Sequence, residues 1–139
     1  MATLFDFEIH TPYRLFFSGK AQAIVLTIAD GEIGIYANHS ALTAPVVASI
    51  LNIKDADNKW SYAFISDGIL EVKKEKNVLI VASAEWPKEI DRERALKSKQ
   101  QAEEDLRSAN LKFETGMAKA KLRRAECRLK LLDMAGLKK

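Results

Sequence analysis

Arg124 and Arg128 stand four residues apart in a stretch of helix-forming composition, so they share one helix face. Two guanidinium groups a turn apart suit phosphate oxygens, which they grip with bidentate hydrogen bonds. The plain alternative is an ordinary solvated basic face. Other reactive side chains are sparse. His10 and His39 have no cysteine cluster or His–Glu pair at ligand spacing, so the pattern offers no metal site. Ser18-Gly19 lacks the strand–turn–helix setting of a nucleophile elbow. No Gly-x-x-x-x-Gly-Lys run is present, so nucleotide hydrolysis is not expected. Cys127 falls on a predicted helix between arginine-rich turns and reads as a packing residue. No catalytic constellation emerges, and the chain reads as a non-enzyme.

A second stretch invites attention for its turns. Asp30-Gly31 is a turn signal, because glycine takes positive φ without a Cβ penalty. Ile33, Ile35 and Tyr36 form a strand-like run, and Gly34 within it suggests a bulge or a close backbone approach. Asn38-His39-Ser40 then makes a polar turn that places an imidazole at the end of a sheet. In this setting Glu32 reads as a solvated turn residue and His39 as a capping or packing histidine.

The elements that must position these residues fall into two parts. Residues 4–84 carry β patterning. Ile24, Leu26 and Ile28 alternate with Val25 and Thr27, and Trp60, Tyr62 and Phe64 alternate with Ser61, Ala63 and Ile65. Each period-2 run turns one face inward. Asn77 to Ala82 is apolar on both faces, which predicts a strand buried on both sides. Turn signals at Asp30-Gly31, Asp55 to Asn58, Asp67-Gly68 and Lys73 to Asn77 break the run into short strands, as in a sandwich or barrel.

All three prolines lie at or before Pro87, and beyond it Ala, Lys, Arg, Glu, Leu and Gln dominate. That is a helix composition. Pro87 disfavours helix at Trp86, so the joint is Glu85-Trp86-Pro87-Lys88, with Asp91 as a helix N-cap behind Ile90. The boundaries drawn are residues 1–86 and 87–139. A first helix is predicted from about Arg92 to Arg107, with a stripe of Ala95, Ser98, Ala102, Leu106 and Ala109. A second is predicted from about Gly116 to Ala135, with Ala118, Leu122, Ala125, Leu129 and Leu132 on one face. Facing alanine-rich stripes predict an antiparallel hairpin, and Gly136 offers its stop. Alanine contributes little on burial, and a fully buried leucine only about 1.5–3 kcal/mol. Ordering the chain offsets much of that. Such a hairpin is lightly held and can move between two positions a few kcal/mol apart.

Bulk properties narrow the classes further. An apolar fraction of 47% in 139 residues supports a real core. No run approaches the roughly 20 apolar residues that span a bilayer, and Met1 to Phe7 shows neither a signal-peptide nor a transit pattern. A lone cysteine cannot form an internal disulfide and fits a reducing compartment. Residues 1–84 carry 7 Lys/Arg against 9 Asp/Glu, net −2, and residues 85–139 carry 15 against 10, net +5. The basic residues of the tail are interleaved with acids and lack an aromatic platform, which argues against nucleic acid as a partner.

One ordered set of motifs goes further. Gly31-Glu32-Ile33-Gly34-Ile35 followed by Asn38-His39 resembles the signature of the epsilon subunit of F-type ATP synthases. Phe17-Ser18-Gly19 precedes it and Asp67-Gly68-Ile69-Leu70-Glu71-Val72 follows it at the family's spacing. Ile90-Asp91-Arg92-Glu93-Arg94-Ala95 is similar to the motif that opens the family's C-terminal helices. Three positions depart: Ala41 where Pro is usual, Ser49 where Gly is common, and Asp67 in place of the first glycine of a pair. Asp tolerates left-handed geometry, so the last turn is expected to survive.

The resemblance implies a flattened β-sandwich of about ten strands followed by an antiparallel α-helical hairpin. It implies a non-catalytic central-stalk (rotor) subunit of a proton-translocating ATP synthase, at the cytoplasmic face of the cell membrane and without membrane insertion. Its expected partners are the gamma subunit, the c-ring and, when the hairpin extends, the alpha/beta catalytic head. By the same resemblance Glu32 lies on the surface that meets the c-ring loops, and His39 near the gamma and ring contact. Glu85, Ile90, Asp91, Arg94, Arg124 and Arg128 match the ATP-binding set of those members that sense ATP. No cofactor is required, and ATP enters only as a regulatory ligand. Gln101 stands where strong ATP binders carry a further arginine, so weak binding or none is expected. A free-standing ATP-sensing regulatory module is the alternative; unlike a coupling subunit, it needs no flat face that binds gamma.

Overall fold

The computed structural model describes residues 3–136. Ten strands come first: β1 (Phe5–His10), β2 (Leu15–Ala21), β3 (Ala23–Ile28), β4 (Gly31–Tyr36), β5 (Leu42–Val46), β6 (Ser49–Lys54), β7 (Trp60–Ile65), β8 (Gly68–Val72), β9 (Lys76–Val81) and β10 (Ala84–Glu85). A 3-10 turn (Pro87–Glu89) leads to helices α1 (Arg92–Ser108) and α2 (Lys112–Met134). Two compact units result, Met1–Glu85 and Trp86–Lys139, dividing one residue before the boundary that composition suggests.

The strands follow the path β10-β7-β6-β3-β5-β8-β9-β1-β2, with β4 paired to β3. Ladders are antiparallel throughout, save the parallel pair β1–β9. The link β3–β5 is a single residue pair, Ile28 with Val46. So the path folds into two layers, β4-β3-β6-β7-β10 and β5-β8-β9-β1-β2. Alternation supplies the core between them. Ile24, Leu26, Ile35, Leu51 and Ile53 are buried from the first layer, and Phe7, Ile9, Leu70, Val72, Leu79 and Val81 from the second. Burying each such side chain is worth about 1.5–3 kcal/mol, so this core carries the unit's stability.

Three local readings need correction. Gly34 is neither a bulge nor a close approach: β3 and β4 pair in unbroken register, and a Cβ at Gly34 meets only ordinary contacts with Tyr36 and Val25. Strand β9 is not buried on both sides, since Leu79 and Val81 are buried while Ile80 is 49% exposed. In β7 the buried face is Ala63 and Ile65, with Trp60 and Tyr62 outward; Phe64 shares their face and is nevertheless buried. The Asp67 turn persists for a reason other than left-handed geometry. Positive φ among described non-glycine residues occurs only at Asn38 and Asn58. The Asp67 carboxylate instead accepts the Ala48 amide at 2.8 Å, and its carbonyl accepts the Ala82 amide at 3.2 Å.

In the second unit Asp91 caps α1, accepting the Arg94 amide at 3.2 Å. Helix α2 begins at Lys112, four residues before the predicted start, because the Glu114 carboxylate takes the Leu111 amide at 3.1 Å and Gly116 is absorbed into the helix. The Arg92–Asp133 ion pair at 2.9 Å ties the start of α1 to the end of α2, so the helices are antiparallel. Ala95, Ala102, Ala118, Ala125 and Leu132 of the predicted stripes are buried, and Leu131, outside them, is buried too. Gly136 takes φ +75° and ends α2 as expected.

Gly68 opens β8 where no side chain fits, because an added Cβ would collide with the Ile80 carbonyl oxygen and Val81. Gly68→Ala must push β8 and β9 apart, at a cost of about 1–3 kcal/mol or more. Chemical denaturation of the full chain should show that loss; unchanged stability would contradict the packing described.

Candidate functional site

Glu32 and His39 sit at opposite ends of one hairpin strand. Glu32 is exposed on β4, opposite Thr27 and two residues after the turn into that strand. His39 follows the other end, where the Tyr36 carbonyl accepts the His39 amide at 3.3 Å and Asn38 takes φ +65°. The His39 Nδ1–H donates to the Ser40 carbonyl at 2.8 Å, which fixes the ring against its own turn with the residue half-buried. Strand rise alone separates Glu32 from Tyr36 by about 13 Å. The two residues therefore serve different edges of the sandwich and form no single constellation.

The proposed nucleotide residues gather partly. Ile90, Asp91 and Arg94 share the turn into α1, and the Asp91 carboxylate is already engaged as the N-cap. Arg124 and Arg128 are half-buried on successive turns of α2. With Arg92 beside Asp133, equal helix rise puts Gln101 level with Arg124. Gln101 donates to the Asp105 carboxylate at 2.9 Å. The position thus presents an amide backed by a carboxylate, an arrangement that repels phosphate. Glu85 belongs to the other unit, half-buried at the end of β10 opposite Phe64.

A third feature escaped the reading by residue type. On the outer face of the layer β5-β8-β9-β1-β2, registers align Pro45, Ile69, Ile80, His10 and Leu15 in one row across five strands. Ile69, Ile80 and Leu15 are 48%, 49% and 54% exposed. One member of the row, His10, belongs to a hydrogen-bonded cluster with Glu8 and Lys76. Glu8 Oε1 is 2.8 Å from His10 Nε2, and Glu8 Oε2 is 3.1 Å from Lys76 Nζ. The His10 and Lys76 hydrogen bonds hold the Glu8 carboxyl below the usual carboxylate range. Single exposed apolar residues are ordinary, but four of them aligned with His10 in one row have the chemistry that suits a protein partner.

Among the described residues no group of three His, Cys, Asp or Glu side chains gathers, and no helix is long and apolar enough to cross a membrane. Cys127 is half-buried, and desolvation pushes its thiol up.

Residues 4–87 match the family described as ATP synthase, Delta/Epsilon chain, beta-sandwich domain, and residues 88–133 its long alpha-helix domain. The chain belongs to the ATP synthase delta/epsilon family. It is 43% identical over 132 residues to the ATP synthase epsilon chain of Caldanaerobacter subterraneus, covering 94% of this chain and 95% of that one. It is also 43% identical over 129 residues to the epsilon chain of Caldicellulosiruptor bescii, covering 93% of each. Among solved structures, a chain of the Euglena gracilis mitochondrial ATP synthase, in an OSCP/F1/c-ring assembly, matches with a TM-score of 0.80 at 19% identity. That match covers 97% of this chain and 82% of that one, and at such identity it speaks for the fold.

For this member of the delta/epsilon family, one sequence signal of the row lies in β9. Asn77 to Ala82 is apolar on both faces, and only one of those faces enters the core. Acid titration reports on the cluster around Glu8. Because the Glu8 carboxyl is held low in the folded chain, its contribution is full above the unfolded-state value and fades as pH falls through the folded one. Glu8→Gln should flatten the acid limb of the stability profile in the full chain. An unaltered limb would show that the His10 and Lys76 contacts carry no weight.

Proposed function

We propose that this chain is a non-catalytic rotor subunit of a proton-translocating F-type ATP synthase. The sandwich couples a gamma shaft to the c-ring, and the hairpin restrains ATP hydrolysis by reaching into the catalytic head. It works at the membrane face as a peripheral part of the complex. The observation that carries this reading is the 43% identity, across both units, to proteins named ATP synthase epsilon chain. The row Pro45-Ile69-Ile80-His10-Leu15 supports it, because a coupling subunit needs a flat face that seals against its shaft. Glu32, exposed on a sheet end, suits pairing with a cation in the polar loop of the ring. His39, half-buried in the turn after β4, suits the gamma side.

The brake rests on the hairpin's thin packing. Its buried contacts are mostly alanines, while Leu111, Phe113 and Met117 remain exposed. Little apolar burial is lost when such helices change partners. ATP tunes the brake by binding the folded hairpin through Arg94, Arg124 and Arg128, with Ile90 and Asp91 at the nucleoside end. The site is weak, because Gln101 and Asp105 occupy the position of a phosphate-facing cation. Ligand at its Kd shifts the balance by only about 0.4 kcal/mol, and at a hundredfold excess by about 2.7 kcal/mol.

Two measurements check these roles. Removing the residues after Lys88 should raise ATP hydrolysis by the assembled complex, and unchanged hydrolysis would confine the chain to coupling. In calorimetry on the full chain, Gln101→Arg should tighten ATP binding and the double change Arg124→Ala, Arg128→Ala should abolish it. A double variant that binds ATP like its parent would make this face merely solvated.

A further inference from the structure

In an Asp-Gly pair the backbone amide can attack the side chain before it with little hindrance, because glycine has no Cβ to shield its nitrogen. The sequence holds two such pairs, Asp30-Gly31 and Asp67-Gly68. Each opens a strand, β4 and β8, and the fold treats them in opposite ways.

Asp67 is braced. Its carboxylate accepts the Ala48 amide at 2.8 Å, and its carbonyl accepts the Ala82 amide at 3.2 Å. Gly68 pairs with Val46 on one side and Val81 on the other. An added Cβ would lie 2.0 Å from the Ile80 carbonyl oxygen, so the surroundings of this glycine are filled. Closing a ring there means breaking the Ala48 contact and parting β8 from its neighbours.

Asp30 carries none of these restraints. Ala29 and Asp30 form the exposed two-residue loop between β3 and β4, closed by the last pair of the ladder, Ile28 with Gly31. Among the described residues nothing hydrogen-bonds or ion-pairs with the Asp30 carboxylate. Gly31 takes φ +126°, and the space around its missing Cβ is empty to 4 Å. Strand β4 pairs with β3 alone among the described strands, so Gly31 is held from one side only. Pairs at a ladder end open at small cost.

We propose that Asp30-Gly31 is a modification site, where the backbone isomerises through a succinimide to isoaspartate, while its packing protects Asp67-Gly68. The Gly31 nitrogen attacks Cγ of the Asp30 carboxyl group. An N–Cγ bond forms, a Cγ–O bond breaks, and the carboxyl hydroxyl leaves with the amide proton as water. Water then adds at either ring carbonyl. Breaking the N–Cγ bond restores aspartate. Breaking the bond from that nitrogen to the main-chain carbonyl carbon of Asp30 leaves the chain running through Cγ. The water lost in the first step returns in the second, so mass and oxidation state are unchanged and no co-reactant is needed. The isomer lengthens the turn between β3 and β4 by one backbone carbon. It also frees an α-carboxylate, the group that methyltransferases using S-adenosylmethionine esterify.

The test is ageing of the full chain in warm neutral buffer, folded and in concentrated urea, followed by tryptic digestion. The two pairs fall in different peptides, residues 21–54 and 60–73. Isoaspartate is read in each by methyl transfer from labelled S-adenosylmethionine with a purified isoaspartyl methyltransferase. In the folded chain it should accumulate in 21–54 at least about tenfold faster than in 60–73, since the braced pair reacts only from an opened state. In urea the two rates should converge. Asp30→Glu keeps the charge but makes the ring one atom larger, and should remove the signal from 21–54. A signal that survives this change comes from Asn38 or Asn52 and overturns the assignment. Equal accumulation in both peptides of the folded chain, or none in 21–54 while urea yields both, overturns it as well.

Discussion

Strand β3 is hydrogen-bonded to β4 along its length, to β6 over Ala23 to Val25, and to β5 at Ile28. Both layers of the sandwich hang from this one six-residue element, and the constraint reaches most of the molecule. Because side chains alternate at a period of two, Ile24 and Leu26 must enter the core if the register holds. A slip by one residue would expose them and bury Val25 and Thr27. The same register fixes β4 beside β3, and with it where Glu32 and the His39 turn emerge. The positions of both residues thus follow from the β3–β4 pairing, in which Glu32 itself lies opposite Thr27.

The outer face of the other layer follows from the same alternation. Once Phe7, Ile9, Leu79 and Val81 point inward, Glu8, His10, Val78 and Ile80 must point outward. Antiparallel and parallel ladders then bring residues from five strands into line. Apolar residues scattered over 65 positions of sequence, from Leu15 to Ile80, become one row. Its His10 belongs to a cluster with Glu8 and Lys76. Core packing and exposed side chains are thereby divided between the two faces of the same strands.

The helical unit works on opposite economics. Among the described residues, four of its six buried apolar residues are alanines, which permit close approach of two helices but bury little area, and the other two are Leu131 and Leu132. Its larger apolar residues, Leu111, Phe113 and Met117, face solvent near the turn between the helices. Leu131 and Leu132 are its buried leucines, and the Asp91 cap and the Arg92–Asp133 pair add smaller contributions to a thin core. That balance suits an element whose docking is reversible.

Local rules in the sequence determined much of this. Period-2 alternation fixed the strands, Pro87 the joint, Asp91 the start of α1 and Gly136 the end of α2, because each acts through its own backbone or its immediate neighbours. The motif around Asp30 to Leu42 likewise announced its family without any folding. The start of α2 was misplaced because a glycine inside a helix costs only about 1 kcal/mol relative to alanine, and the Glu114 contact to Leu111 outweighs it. Only tertiary structure decided which face of β7 and β9 is covered, why Gly34 has no internal clash, and that Asp67 braces Ala48. It alone assembled the apolar row. Those features depend on which strand lies beside which, and strand pairing across 20 to 70 residues leaves no local trace in the chain.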